Sequence, residues 1–138
     1  MSTKAEYAIS LHDQGYNCAQ AVACTFCKEF GIDEQEMFRI AEGFGLGMGG
    51  MKGTCGAVSG AVLLAGMKNS TGNVEHPDSK GATYKLSREI VKEFQEKNSS
   101  VVCEELKGVE TGNVLRSCGG CIKDAVMLAG KILYGEEE

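Results

Sequence analysis

Apolar residues recur at helical spacing along most of this chain, and the pattern predicts a helical protein. The clearest stripe joins Leu86, Ile90 and Phe94, within a segment that we expect to be helical from Asp78 or Ser79 to about Lys97. No segment alternates apolar and polar residues over the length of a strand. We therefore predict an all-α fold, a single-domain bundle of five to six helices that spans residues 1–138.

Glycine and capping residues mark where the other helices begin and end. The segment 55–67 carries almost no charge, so we expect it to be buried on all sides as the central helix, with Thr54 as its cap. The remaining predicted helices run over residues 5–13, 18–30, 34–42 and 118–134, with a helical turn over 103–107.

Glycine is frequent in this chain, with 19 residues, and it is concentrated near the central helix. The segment 43–53 is predicted to be a glycine-rich loop. Gly56 and Gly60 lie inside the predicted helix, where each costs about 1 kcal/mol relative to alanine. We infer that something presses against the helix backbone there, either another helix or a bulky inorganic group.

Charge and hydropathy exclude several classes of protein. The net charge is −5 and no basic residues cluster, which argues against a nucleic-acid partner. The N-terminal residues contain no apolar run and no twin arginine, so we expect no export signal. The longest apolar stretch is too short to span a bilayer. The composition therefore predicts a cytoplasmic protein that binds neither nucleic acid nor membrane.

Seven cysteines are the outlier of the composition. Among the reduced thiols of the cytoplasm, metal binding or redox chemistry is commoner than disulfide formation. Helix N-termini stabilise thiolates and other anions, so cysteines gathered there could hold an anionic metal–sulfur cluster. The spacing is explained equally well if cysteine is only a small buried residue. The cysteines at predicted helix starts are Cys18, Cys55, Cys103 and Cys118.

The other three cysteines give weaker signals. Cys24 and Cys27 lie on one face of a predicted continuous helix, which is a poor turn for a zinc site, so we expect them to pack in the core. Cys121 forms a C-x-x-C pair with Cys118, as in a redox dithiol, but without the βαβ context of thioredoxin-like proteins. His12 is expected at the surface, and no Ser/His/Asp arrangement identifies catalytic residues.

Several motifs resemble those of the C_GCAxxG_C_C family of redox-active proteins. The hexapeptide 55–60 reads Cys-Gly-Ala-Val-Ser-Gly, and it matches the motif that names the family. Further blocks match in the same order over 17–22, 43–49, 102–106 and 118–125. The resemblance implies that the cysteines named above at helix starts are the family positions, and that Cys24, Cys27 and Cys121 fall outside the pattern.

The resemblance also implies a function. Related domains occur in the split-Soret cytochromes, which carry an iron–sulfur centre. We therefore expect an electron-transfer protein with one iron–sulfur cluster, of the [2Fe–2S] type, that is lost in aerobically prepared protein. The expected metal ligands are Cys18, Cys55, Cys103 and Cys118, or three of them with an oxygen or nitrogen ligand from the protein or from outside it as the fourth. The glycines whose backbone is expected to approach this cofactor are Gly47, Gly49, Gly53 and Gly56.

Two other functions remain open at this stage. The first is a metal-free thiol/disulfide redox protein that cycles Cys118 with Cys121, or another cysteine pair. The second is a zinc-stabilised or purely structural helical interaction module. If the protein has a redox function, we expect it to have a redox partner protein. The small-residue faces of the helices favour a homodimer.

Overall fold

The computed structural model describes residues 3–136, and the regular structure within that range is helical. Its helices are α1 (Thr3–Asp13), α2 (Cys18–Thr25), α3 (Cys27–Phe30), α4 (Glu34–Glu42), α5 (Gly56–Asn69), α6 (Lys80–Asn98), α7 (Cys103–Lys107) and α8 (Cys118–Tyr134). Between residues 3 and 136 there is no strand, and extended backbone pairs only in an isolated bridge between Thr54 and Val102. The all-α prediction is confirmed. None of the helices in this range is long and apolar enough to cross a membrane.

The number of helices differs from the predicted five to six, because the described residues contain eight. The predicted helix over 18–30 is broken at Phe26, whose φ of −103° and ψ of 8° end α2 and begin α3. The N–H of Phe26 donates to the carbonyl of Ala23 at 3.2 Å, a tighter turn than that of an α-helix. The turn over 103–107 forms the separate short helix α7.

The central helix α5 packs against α2, α6 and α8. The prediction of burial on all sides is wrong, because Ser59, Val62 and Leu63 are only half-buried and Met67 near the end is 40% exposed. The N-cap is Cys55, not the predicted Thr54. The fully buried side chains of this helix are Ala57, Val58, Ala61, Leu64 and Ala65.

The glycines of α5 let it approach α2 backbone to backbone. A Cβ atom added at Gly60 would stand 2.9 Å from the carbonyl oxygen of Ala19, and one at Gly56 would stand 3.2 Å from the Ala19 nitrogen. Rotation of a side chain cannot relieve such contacts, because the neighbouring atoms belong to the main chain. A neighbouring helix, one of the two causes inferred from the sequence, therefore presses on this backbone.

Polar and glycine-rich connections join the helices. Residues 70–79 form an exposed loop between α5 and α6, as predicted for the polar segment there. The glycine-rich segment contains a left-handed turn, Gly45–Met48, in which Leu46, Gly47 and Met48 have φ angles of 53°, 56° and 64°. Left-handed backbone costs a residue other than glycine roughly 1–2 kcal/mol. This turn is therefore held in place by its surroundings, which include the site described below.

Substitution of Gly60 by alanine should destabilise the fold by about 1–3 kcal/mol, because the added methyl group overlaps a backbone carbonyl. Gly66→Ala is the matched control in the same helix, since no atom lies within 4 Å of its added Cβ. That change should stabilise the protein by about 0.5–1 kcal/mol. Urea unfolding followed by circular dichroism measures both, and equal effects of the two substitutions would contradict the packing described here.

Candidate functional site

Five cysteines line one cavity of about 150 Å³ near the N-terminal ends of the helices. Four of them are the cysteines that the sequence places at helix starts. Three basic side chains, those of His12, Lys107 and Arg116, share the cavity wall with the apolar Leu46 and Leu106. The cysteines of the cavity are Cys18, Cys55, Cys103, Cys118 and Cys121.

A capping box holds Cys18 at the first position of α2. The side-chain oxygen of Asn17 accepts from the N–H of Gln20 at 2.9 Å, and the Gln20 side chain accepts from the N–H of Asn17 at 2.9 Å. The Asn17 amide also donates to the carbonyl of Glu42 at 3.0 Å. The start of α2 is thus tied to the end of α4.

A short antiparallel bridge brings Cys55 and Cys103 to the same cavity. The N–H of Cys55 donates to the carbonyl of Val101 at 2.7 Å, and the N–H of Cys103 donates to the carbonyl of Gly53 at 3.0 Å. These bonds flank the paired residues Thr54 and Val102. Because α5 and α7 both begin immediately after the bridge, their leading cysteines are neighbours.

The left-handed turn packs directly against Cys103. A Cβ atom at Gly47 would stand 2.5 Å from the Cβ of Cys103, and Gly47 has a φ of 56°, so glycine is required there on both counts. The N–H of Gly53 donates to the carbonyl of Gly47 at 3.0 Å. Gly56 lines the cavity, whereas Gly49 is exposed and donates its N–H to Gly45 at 2.9 Å. That these four glycines bind a cofactor stays a prediction.

Cys118 and Cys121 reach the cavity from the first turn of α8. The Ser117 hydroxyl oxygen caps this helix by accepting from the N–H of Gly120 at 3.0 Å. A spacing of three residues places both thiols on one face of the helix. The C-x-x-C spacing was the available signal for Cys121, although this residue stands outside the pattern used to choose the candidate ligands.

The thiol of Cys18 forms a pair with Cys118. The hydrogen bond from Cys18 is the main cause that lowers the pKa of Cys118 to about 5, and it acts against desolvation. The charge of Lys107, its hydrogen bond and the charge of His12 lower that pKa further. The pKa of Cys18 is raised by the same hydrogen bond and by burial, so this pair consists of a thiol donor and a thiolate acceptor.

A second pair joins Cys55 with Cys121. The hydrogen bond from Cys121 is the largest cause that lowers the pKa of Cys55 to about 7, and the backbone N–H groups of Ala57 and Val58 contribute in the same direction. The pKa of Cys121 is raised by that hydrogen bond and by burial. For Cys103, which has no such thiol partner, burial raises the pKa while Lys107 opposes the rise.

The basic residues of the cavity are held in different ways. His12 is half-buried, which corrects its predicted surface position, and its Nδ1 lies 2.9 Å from the carbonyl oxygen of Tyr16. Arg116 makes a bidentate contact with Asp124, at 3.0 Å from Nε and 3.1 Å from Nη2. The Lys107 ammonium donates a hydrogen bond to the sulfur of Cys118.

Across the described residues 3–136, no group of three or more His, Cys, Asp or Glu side chains is arranged to hold a single metal ion. The cavity sulfurs surround a space instead of converging on one point. Carboxylates are absent from the residues described as lining that space, and five sulfurs stand there beside the imidazole of His12 and the amide of Asn17.

Comparison with known families identifies the relatives of this chain. Residues 16–132 match the model of the family described as "Putative redox-active protein (C_GCAxxG_C_C)". The chain belongs to this family. The C_GCAxxG_C_C match contains every cysteine of the cavity, and it confirms the resemblance inferred from the motifs. No curated protein and no solved structure matches the chain.

The buried carboxylate of Asp124 supports the wall of this C_GCAxxG_C_C cavity through Arg116. Burial would raise the pKa of Asp124, but hydrogen bonds from Arg116, Lys97 and Asn98 outweigh it and lower the pKa. The Lys97 and Asn98 bonds measure 2.7 Å and 3.1 Å. A carboxyl group whose pKa is lower in the folded than in the unfolded state stabilises the fold at pH values above its unfolded-state pKa. This stabilisation is lost as the pH falls through its folded-state pKa.

Asp124→Asn should lower the free energy of unfolding at pH 7 by about 2 kcal/mol, since hydrogen bonds to a buried charge are lost. The difference from the wild type should shrink as the pH falls below the ordinary carboxyl value of 3.8. Urea titrations at several pH values measure it. Asp13→Asn, at an exposed position, is the control and should change little. If the loss of stability in Asp124→Asn does not change with pH, the negative charge of Asp124 is not its cause.

Proposed function

We propose that this protein transfers electrons through an iron–sulfur cluster bound in the cysteine-lined cavity. The proposed ligands are the four cysteines of the family pattern, Cys18, Cys55, Cys103 and Cys118. One observation carries the proposal: these cysteines are far apart in the sequence, begin or cap four different helices, and yet line the same cavity. Cysteine packed only as a small apolar residue has no reason to gather in this way.

The donor set of the cavity fits such a group. Cysteine thiolates are the usual ligands of iron–sulfur clusters, and the lowered pKa values of Cys55 and Cys118 supply two thiolates near neutral pH. A cavity of roughly this volume accommodates a ligand of the dimensions of benzene. Because a cluster is ligated from its outside, ligands that surround a space suit it better than they suit a single zinc ion.

Other residues of the cavity would tune the chemistry. The cluster, when bound, would supply one-electron redox chemistry. Lys107 and His12 place positive charge beside the anionic sulfurs, while Leu46 and Leu106 exclude water from them. The thiol of Cys121 donates to Cys55 and would reduce the charge on that ligand sulfur. A redox partner protein and a reducing cytoplasmic setting belong to the same proposal.

Protein purified anaerobically should contain iron and acid-labile sulfide in equal amounts. Cys55→Ser should lose most of both, because a buried ligand of the cluster is removed. Cys27→Ser, which changes a buried cysteine outside the cavity, is the matched control and should retain them. Metal and sulfide analysis with visible absorption measures the outcome. A folded, colourless and iron-free protein from anaerobic cells would refute the proposal.

A second candidate function, a metal-free dithiol protein, is favoured by the thiol–thiolate pairs. In this reaction the Cys118 thiolate attacks a disulfide substrate and releases one thiolate. Cys18 then loses its proton and attacks the Cys118 sulfur, which releases the second thiol and leaves a Cys18–Cys118 disulfide. The substrate is reduced by two electrons, and the cysteine pair is oxidised by two.

Oxidised glutathione distinguishes this second candidate in cluster-free protein. If it is correct, the free thiols should fall in pairs, and mass mapping should find Cys18 joined to Cys118 and Cys55 joined to Cys121. Cys121→Ser should abolish the second link and keep the first. An unchanged thiol count would rule out dithiol cycling.

A further inference from the structure

Two cysteines outside the cavity form a cluster of their own. Cys24 lies near the end of α2 and Cys27 begins α3, with exposures of 3% and 6%. Both line a cleft of about 350 Å³ on the surface of the protein, together with Lys4, Tyr7 and Glu34. These cysteines are not among the proposed ligands of the cluster, so the site does not rest on the function proposed above.

The helix break at Phe26 changes how this C-x-x-C pair is interpreted. A continuous helix would give the pair a poor geometry for binding, but α2 ends and α3 begins between the two residues. Their thiols hydrogen-bond to each other, and burial is the main cause that raises the pKa of both. The Cys24 sulfur also lies 3.9 Å from the carbonyl oxygen of Glu34. Two sulfurs therefore stand side by side at the wall of an accessible cleft.

The number of donor atoms limits the ligand that this pair can take. In the part of the chain that the structure describes, no third His, Cys, Asp or Glu completes a metal site with these two sulfurs. Zinc needs four ligands, whereas soft monovalent cations such as Cu(I) select thiolates. We propose that Cys24 and Cys27 form a two-sulfur site for a soft monovalent cation of the Cu(I) and Ag(I) class.

Binding of the cation at this site changes no oxidation state, and its protons and charges balance. Each thiol releases one proton to solvent, and each sulfur forms one bond to the cation. The product carries one negative charge, because two thiolates and one monovalent cation combine. Lys4 and Lys28 line the cleft together with Glu29 and Glu34, and Lys4 pairs with Glu29 at 3.1 Å, so the cleft offers that product no net positive charge. The raised pKa values oppose proton release, so the bonds to the cation must drive it.

Silver(I) tests the site in the full-length, reduced protein in chloride-free buffer. Amide NMR spectra are recorded during titration to saturation, so that any binding in the cavity is also complete. We expect the amide signals of residues 24–30 to shift in the wild type, and to stay in place in the Cys24→Ser/Cys27→Ser variant. The cavity variant Cys121→Ser is the matched control, and it should keep the shifts at residues 24–30.

Two results would overturn the proposal. Saturated wild-type protein in which the signals of residues 24–30 have not moved would exclude binding at this pair, and this result needs no variant to fold. Shifts that persist in the double variant would assign the effect to another site. Competition with a chromogenic chelator measures how much silver each chain binds. The wild type should bind one equivalent more than the double variant.

Discussion

The close backbone contact between α2 and α5 is the constraint on which the site depends. Gly56 and Gly60 leave no side chain between the two helices, so α5 lies against the backbone at Ala19. Because Cys18 begins α2 and Cys55 caps α5, this contact near the two helix starts brings both sulfurs to one place. Any side chain at those glycines would move one helix end and separate the cysteines.

The electrostatics of the cavity follow from the close spacing of its five sulfurs. Five sulfurs in a small apolar space cannot all ionise, since each thiolate raises the cost of the next. The protein resolves the conflict by pairing Cys18 with Cys118 and Cys121 with Cys55, with one proton donor in each pair. Lys107 adds the compensating positive charge at Cys118. The cavity therefore holds two thiolates, each beside a thiol that donates a hydrogen bond to it.

Much of the fold could be predicted from local signals in the sequence. Asn17, Asp33 and Ser117 cap their helices as their residue types indicate, and the stripe of α6 follows its apolar spacing. The break at Phe26 could not be predicted in this way, because the segment 18–30 contains no glycine or proline that would mark it. The left-handed angles of Leu46 and Met48 are likewise imposed by packing and not by residue preference.

The site was only partly visible in the sequence. Two signals make the four cysteines at helix starts recognisable in the sequence. Capping residues precede most of them, and the family pattern includes them. His12 and Lys107 belong to the cavity for a different reason, namely that the ends of α1 and α7 are folded against its rim. Such long-range proximity has no local pattern. Cys121 did have one, its C-x-x-C spacing from Cys118, but a C-x-x-C pair fits several roles.

The polar loop over 70–79 is an exposed connection that lies apart from the functional site. None of its residues lines the sulfur cavity, although it joins the central helix to the longest helix. Exposed connections of this kind tolerate insertions at a small entropic cost. A longer or shorter loop at this point should therefore leave the sulfur cavity intact, whereas a side chain added at Gly56 or Gly60 should disturb it.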